Sequence, residues 1–235
     1  MQFDHFRLIN EADDKHPAFG ELVADIALEE GSLLPSEALF ISLCVGQFEP
    51  LRIVQAGRGK GAGTEFLARS FPDLPVLSVD ATDDPAARER LARYENVQLE
   101  VGDPQAVITR EMRTGDYLVM ERPDGMDGLR LLLELFASRN FEMGFLHNAG
   151  PGTQARDFVQ QHHAMACFAD DPEFTSVTHG LDERANLPEA RSYAANEGKF
   201  GYGQGMICMP YDPSVKYAAL ARKTKGGFLG RLFGR

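Results

Sequence analysis

Cysteine is scarce in this sequence, and no long hydrophobic run exists. Cys44, Cys167 and Cys208 lie far apart along the chain. An odd number without a CxxC spacing gives neither a disulfide framework nor a cysteine-based metal motif. Buried thiols in a reducing compartment are expected. No run of 18 apolar residues is present to cross a membrane. The N-terminus MQFDHFRLINEADDKH also lacks the basic-then-apolar order of a signal peptide. A cytoplasmic protein is the expectation. HExxH spacing and a Ser/His/Asp order are missing, so hydrolase readings have no support. The glycine-lysine-serine/threonine ending of a Walker loop is missing too, which excludes a P-loop nucleotide site.

Acidic residues stop at Asp212. Beyond it Lys216, Arg222, Lys223, Lys225, Arg231 and Arg235 make a tail of +6, so the rest of this −11 chain carries −17. A body so acidic repels a phosphate backbone and excludes sequence-wide nucleic-acid binding. The tail places Phe228, Leu229, Leu232 and Phe233 on one helical face. It either touches an anionic membrane or a partner groove, or stays mobile, and it is too short to anchor alone.

What is present suits a sizeable core: 235 residues, 43% of them apolar. Residues 1–17 are polar and irregular and read as an arm. Phe19, Leu22, Val23, Ile26 and Ala27 recur at helical spacing, which predicts a helix over 18–30. Pro35-Ser36-Glu37 opens a second helix. Strands are then predicted at 51–54, at the run ending in Asp80, at 97–101, 117–120 and 141–147. Helices alternate with them, two opened by Asp84-Pro85 and Asp103-Pro104 as cap-plus-proline pairs. Such alternation means right-handed βαβ units and a parallel sheet. The runs 174–178 and 205–210 read as two terminal strands joined by a long polar loop, forming an antiparallel hairpin at the sheet edge. The expected fold is thus α/β: a Rossmann-like, doubly wound, mostly parallel seven-stranded sheet with a terminal antiparallel hairpin. Its core would span 51–212, between an N-terminal arm and helices over 1–50 and a basic tail over 213–235.

The densest functional signal is LRIVQAGRGKGAGTEFLARSFPDLPVLSVD, residues 51–80. Gly57, Gly59, Gly61 and Gly63 crowd the turn between a strand and a helix, where glycine allows positive φ and close approach of a ligand. Asp80 ends the next strand, placed to accept hydrogen bonds from ribose hydroxyls. These features indicate a nucleoside ligand. Gly57-Arg58-Gly59-Lys60-Gly61-Ala62 also satisfies GxGxxA, so a nicotinamide dinucleotide competes, with Arg58 or Lys60 assisting a pyrophosphate.

From Leu33 to Tyr211 the layout resembles the class I S-adenosylmethionine-dependent methyltransferases. The segments LLPSEALFISLCVGQFEPLRIVQAGRGKGAGTEFLA and FLHNAGPGTQARDFVQQ are similar to their small-molecule O-methyltransferase and cephalosporin-hydroxylase-like branches. The resemblance implies S-adenosyl-L-methionine over the turn of Gln55, Gly57, Gly59 and Gly61, its ribose on Asp80 and its adenine near Asp103. Gln55 stands where the family carries an acid beside the methionine ammonium, and a glutamine supplies no opposing charge. Asp103 is equally an ordinary helix N-cap. A small-molecule acceptor methylated at oxygen is implied, in a chain compatible with a homo-oligomer.

Glu121 and His147 fall at the carboxyl ends of the fourth and fifth strands, where open α/β sheets hold ligands. They are the candidate catalytic residues, Glu121 alternatively being a solvated loop acid. Glu121 and Asn148 are also candidate ligands for a divalent ion such as Mg²⁺, unless His147 and Asn148 simply close the strand. Phe200, Tyr202 and Tyr211 either line an acceptor pocket or pack the last strand. The altered Gln55 position leaves open a binding module that keeps the fold without catalysis.

Overall fold

Alternate residues of the central strands are apolar on both faces, which demands helices on both sides of the sheet. The computed structural model describes residues 4–29, 31–138, 141–183 and 205–229. Helices α1 (His5–Val23) and α2 (Pro35–Gly46) precede β1 (Arg52–Ala56), α3 (Ala62–Ser70), β2 (Val76–Asp80), α4 (Pro85–Leu91) and β3 (Val97–Val101). There follow α5 (Pro104–Glu111), β4 (Asp116–Met120), α6 (Gly125–Ser138), β5 (Met143–Leu146) and α7 (Gln154–His162). The last elements are β6 (Cys167–Phe168), α8 (Pro172–Glu183), β7 (Ile207–Pro210) and α9 (Tyr217–Leu229).

The seven strands form one sheet in the order β3-β2-β1-β4-β5-β7-β6. Five are parallel, and β7 runs antiparallel to both β5 and β6. Successive residues point to opposite faces. Ile53, Val119, Phe145 and Cys208 join Phe40, Phe66 and Phe174 in one core. Val54, Leu118, Leu146 and Ile207 join Leu132, Phe136 and Val159 in the other. Each such large side chain, fully buried, stabilises the fold by roughly 1.5–3 kcal/mol. No helix among the described residues is long and apolar enough to cross a membrane.

The structure corrects two expectations. The segment read as an irregular arm is helical from His5, and the helix ends at Val23 rather than running to residue 30. Asp4 caps it by accepting from Arg7 N, Glu11 pairs with Arg7 and Lys15, and Leu8, Ala12, Phe19 and Val23 are buried. The run 174–178, read as a strand, lies in α8. Phe174, Thr178 and Leu181 are buried at helical spacing, and the Phe174 ring meets Phe40 edge-on at 5.4 Å. The terminal hairpin exists, but its first strand is Cys167–Phe168, and β7 inserts between β5 and β6. Most of the expected long loop lies outside the described residues.

Candidate active site

At the carboxyl end of β1 the chain turns through residues 57–61 into α3. Gly57 is needed there twice over: its φ is +89°, and a Cβ would lie 2.6 Å from the backbone N of Arg122. Arg122 N in turn donates to Ala56 O, so the loop after β4 sits directly against the turn. Gly63 already belongs to α3. A Cβ there would come within 2.9 Å of Gln55 Nε2 and closer still to Glu121 Oε1. Close approach at these two positions is to protein groups.

Asp80 faces the turn. Its Oδ2 accepts from Gly59 N at 3.1 Å, and its Oδ1 accepts from Thr82 N and Oγ1, both at 3.0 Å. Burial pushes its carboxyl up, but these bonds and the Arg58 charge hold it below the usual carboxylate range. Arg58 is buried and turned inward. Its guanidinium donates to the carbonyls of Ser78, Glu100 and Thr82, and burial lowers its pKa. Glu29, in the α1–α2 connection, accepts from Lys60 N at 3.2 Å and pairs with Arg90, which clips that connection over the turn.

Gln55 is fully buried, and both ends of its amide are engaged. Its Oε1 accepts from Thr64 Oγ1 and Ser78 Oγ, and its Nε2 donates to Glu121 Oε1. Register explains the grouping, because Gln55 lies opposite Ser78 on β2 and Val119 on β4, one strand-end away from Glu121. Glu121 is 5% exposed. Burial pushes its pKa up to about 7, against the charge of His147 and the hydrogen bond from Gln55.

His147 follows β5 and is wholly buried. Its Nε2 lies 3.1 Å from Glu37 Oε2, which also accepts from Leu34 N at the start of α2. Burial alone would pull the imidazole pKa down, but the Glu37 charge and hydrogen bond, with Glu121 adding, raise it. Two buried polar atoms of this pair, Glu37 Oε1 and His147 Nδ1, have no protein partner. Unsatisfied atoms of this kind are costly to bury and fit a site built to receive a polar ligand.

The structure therefore joins Gln55 to Glu121 and brings His147 close enough for its charge to act on Glu121. Asn148, at φ +56°, donates to Asp124 Oδ2 at 2.9 Å, while Glu121 is turned to Gln55, so the two candidate metal ligands face different partners. Asp103 caps α5 by accepting from Ala106 N at 2.8 Å. Tyr211, just past β7, stacks on Tyr217 with ring centres 5.5 Å apart. Phe200, Tyr202, Leu232, Phe233 and the side chains of Phe228 and Leu229 lie outside the described residues. Sequence reasoning missed Glu37. The available signal was its place as the lone charge in an otherwise apolar helix, three residues into a proline-opened start.

No family model matches the chain, and no curated protein does. Among solved structures it is similar to a Podospora anserina methyltransferase bound to S-adenosylhomocysteine. That pair shares 13% identity over 86% of this chain and 88% of the other, with a TM-score of 0.47. It is also similar to an O-methyltransferase from Bacillus cereus in complex with S-adenosylhomocysteine, at 16% identity over 85% of this chain and 91% of that one, with a TM-score of 0.46. The order β3-β2-β1-β4-β5-β7-β6, with β7 alone reversed, is that of the class I methyltransferase fold, and the chain has this fold.

Proposed function

We propose that the protein is an S-adenosylmethionine-dependent methyltransferase that acts on a hydroxyl of a small-molecule acceptor. The observation that carries this reading is the meeting of the glycine turn with Glu121, His147 and Glu37, all buried, at the carboxyl ends of β1, β4 and β5. Ligands bind at that end of open α/β sheets.

Asp80 offers a charged carboxylate to the ribose hydroxyls, exchanging its bonds to Gly59 and Thr82 for them. Asp103, at the end of β3, stands toward the adenine while Oδ1 keeps its capping role. Gln55 carries no charge and serves to position Glu121, so the acid for the methionine end is Glu37, whose Oε1 has no protein partner. Bound S-adenosylmethionine supplies an electrophilic methyl group on a positively charged sulfur. Glu121, with a pKa of about 7, takes the proton of the acceptor hydroxyl at its carboxylate. His147, held by Glu37, adds a fixed hydrogen-bonding edge for the acceptor. The remaining contribution is alignment of the acceptor with the methyl group. No step is assigned to a metal, since Glu121 and Asn148 engage separate partners.

The inward set of Arg58 argues against a dinucleotide, because its donors serve main-chain carbonyls rather than a pyrophosphate. One observation favours a second reading, a binding module without catalysis: Arg122 packs against Gly57, and both ends of Gln55 are already engaged. A thermal-shift titration separates these readings. S-adenosylhomocysteine at about 100 times its dissociation constant stabilises by about 2.7 kcal/mol, roughly 5–10 °C in a chain of this size. Asp80→Ala is expected to abolish the shift. No shift at millimolar ligand overturns the proposal, and a shift with NAD(H) in its place assigns a dehydrogenase.

A further inference from the structure

The three cysteines that are remote in sequence meet in space. The Sγ atoms of Cys44 on α2, Cys167 on β6 and Cys208 on β7 all lie within 4.8 Å of one another. Among the described residues they are the one such cluster of histidine, cysteine or acidic side chains. Cys167 and Cys208 are direct cross-strand partners, and none of the three is in a disulfide. All are at most 1% exposed, in the same core as Phe40, Phe145 and Phe174. Three ligand–sulfur bonds of about 2.3 Å around a pyramidal centre set the sulfurs roughly 3.5 Å apart, so the cluster closes on one centre by drawing in by about 1.3 Å at most.

We propose that this cluster is a three-sulfur site for a trivalent thiophilic centre of the arsenous acid class. The charge of the surroundings selects the valence. A divalent cation on three thiolates leaves a net negative charge in an apolar core, which is costly, and zinc also seeks a fourth ligand. A monovalent ion leaves more charge. A trivalent centre on three thiolates is neutral and uses three ligands only.

The protonation state agrees. Burial, and the hydrogen bond each makes with Cys167, push the Cys44 and Cys208 pKa values up, so these groups meet a ligand as thiols. Neutral arsenous acid reacts with thiols directly. Three As–O and three S–H bonds break, three As–S bonds form, and each hydroxide leaves with a thiol proton as water. No electron is transferred and no net proton is released. The route inward is local opening of β6, a two-residue strand at the sheet edge. Occupation ties α2 to the β6–β7 pair. Cys44 lies seven residues beyond Glu37, about 10 Å along the helix, so the site is separate from the candidate active site and does not rest on the methyltransferase reading.

The test uses the reduced full-length protein with sodium arsenite as the probe. One arsenic per chain after desalting, with three sulfurs around arsenic by X-ray absorption, is the expected result. Cys44→Ser and Cys208→Ser are each expected to weaken retention by more than the about 10–100-fold that a lost outer partner costs a metal site. The absorption measurement needs no variant, so it decides the matter even where a serine variant fails to fold. Arsenic absent after desalting, arsenic held by fewer than three sulfurs, or zinc retained in its place each overturns the proposal.

Discussion

Glu121 is a carboxyl group with almost no water around it, and its chemistry follows from that. A base with a pKa of about 7 is half ionised at neutral pH, which balances availability against proton affinity. Methyl transfer is expected to rise with pH through about 7. Glu121→Gln is expected to lose that limb and about 10²–10⁴-fold in kcat, while S-adenosylhomocysteine still binds. A pH–rate profile of both proteins checks this, and a limb surviving in the glutamine variant sinks the role. The sequence shows Gln55 as a missing charge. The structure shows it donating to an acid 66 residues later. No motif spacing carries that pairing, because it depends on β1 and β4 lying side by side.

At the scale of elements, α2 is the piece that organises the site. It is buried along nearly its whole length, and its N-cap residue Leu34 offers no capping side chain, only Glu37 reaching back to Leu34 N. Asp182, near the end of α8, supplies one from a distance: Oδ1 accepts from Ser36 N at 2.8 Å, and Oδ2 accepts from Ser36 Oγ. Asp182→Ala leaves a buried N–H without its acceptor, an expected loss of about 1–3 kcal/mol. Urea unfolding of the variant measures it, and an unchanged midpoint contradicts the capping role. This contact was illegible in the sequence. The run Phe174-Thr175-Ser176-Val177-Thr178 favours strands locally, and packing of Phe174, Thr178 and Leu181 against neighbouring helices overrides that preference. By contrast, the Asp84-Pro85 and Asp103-Pro104 starts were legible, because a cap and a fixed φ act within a few residues.

Across the whole molecule, buried ionisable groups give stability a definite pH dependence. Burial raises Asp182 from 3.8 to about 7, and Glu121 from 4.5 to about 7. A raised pKa contributes stability that is complete below the unfolded value and lost as pH rises through the folded one. His147, also raised, acts in the same direction, starting from an unfolded value near 6.5. Asp80 and Glu65 are lowered and act oppositely, losing their contribution as pH falls through their depressed values. Maximal stability is therefore expected at about pH 4–5, near the unfolded carboxyl values, falling as pH rises through about 7. Scanning calorimetry across this range checks it, and the double variant Glu121→Gln, Asp182→Asn is expected to flatten the alkaline decline. The five parallel strands were legible from alternation alone. The insertion of β7 was not, because edge order depends on pairings that no local pattern encodes. That insertion bears on how the chain is made. Among the described residues β6 pairs only with β7, and β7 is drawn from residues 207–210. During synthesis β5 must therefore wait with a bare edge while some sixty further residues emerge before the strand that covers it arrives.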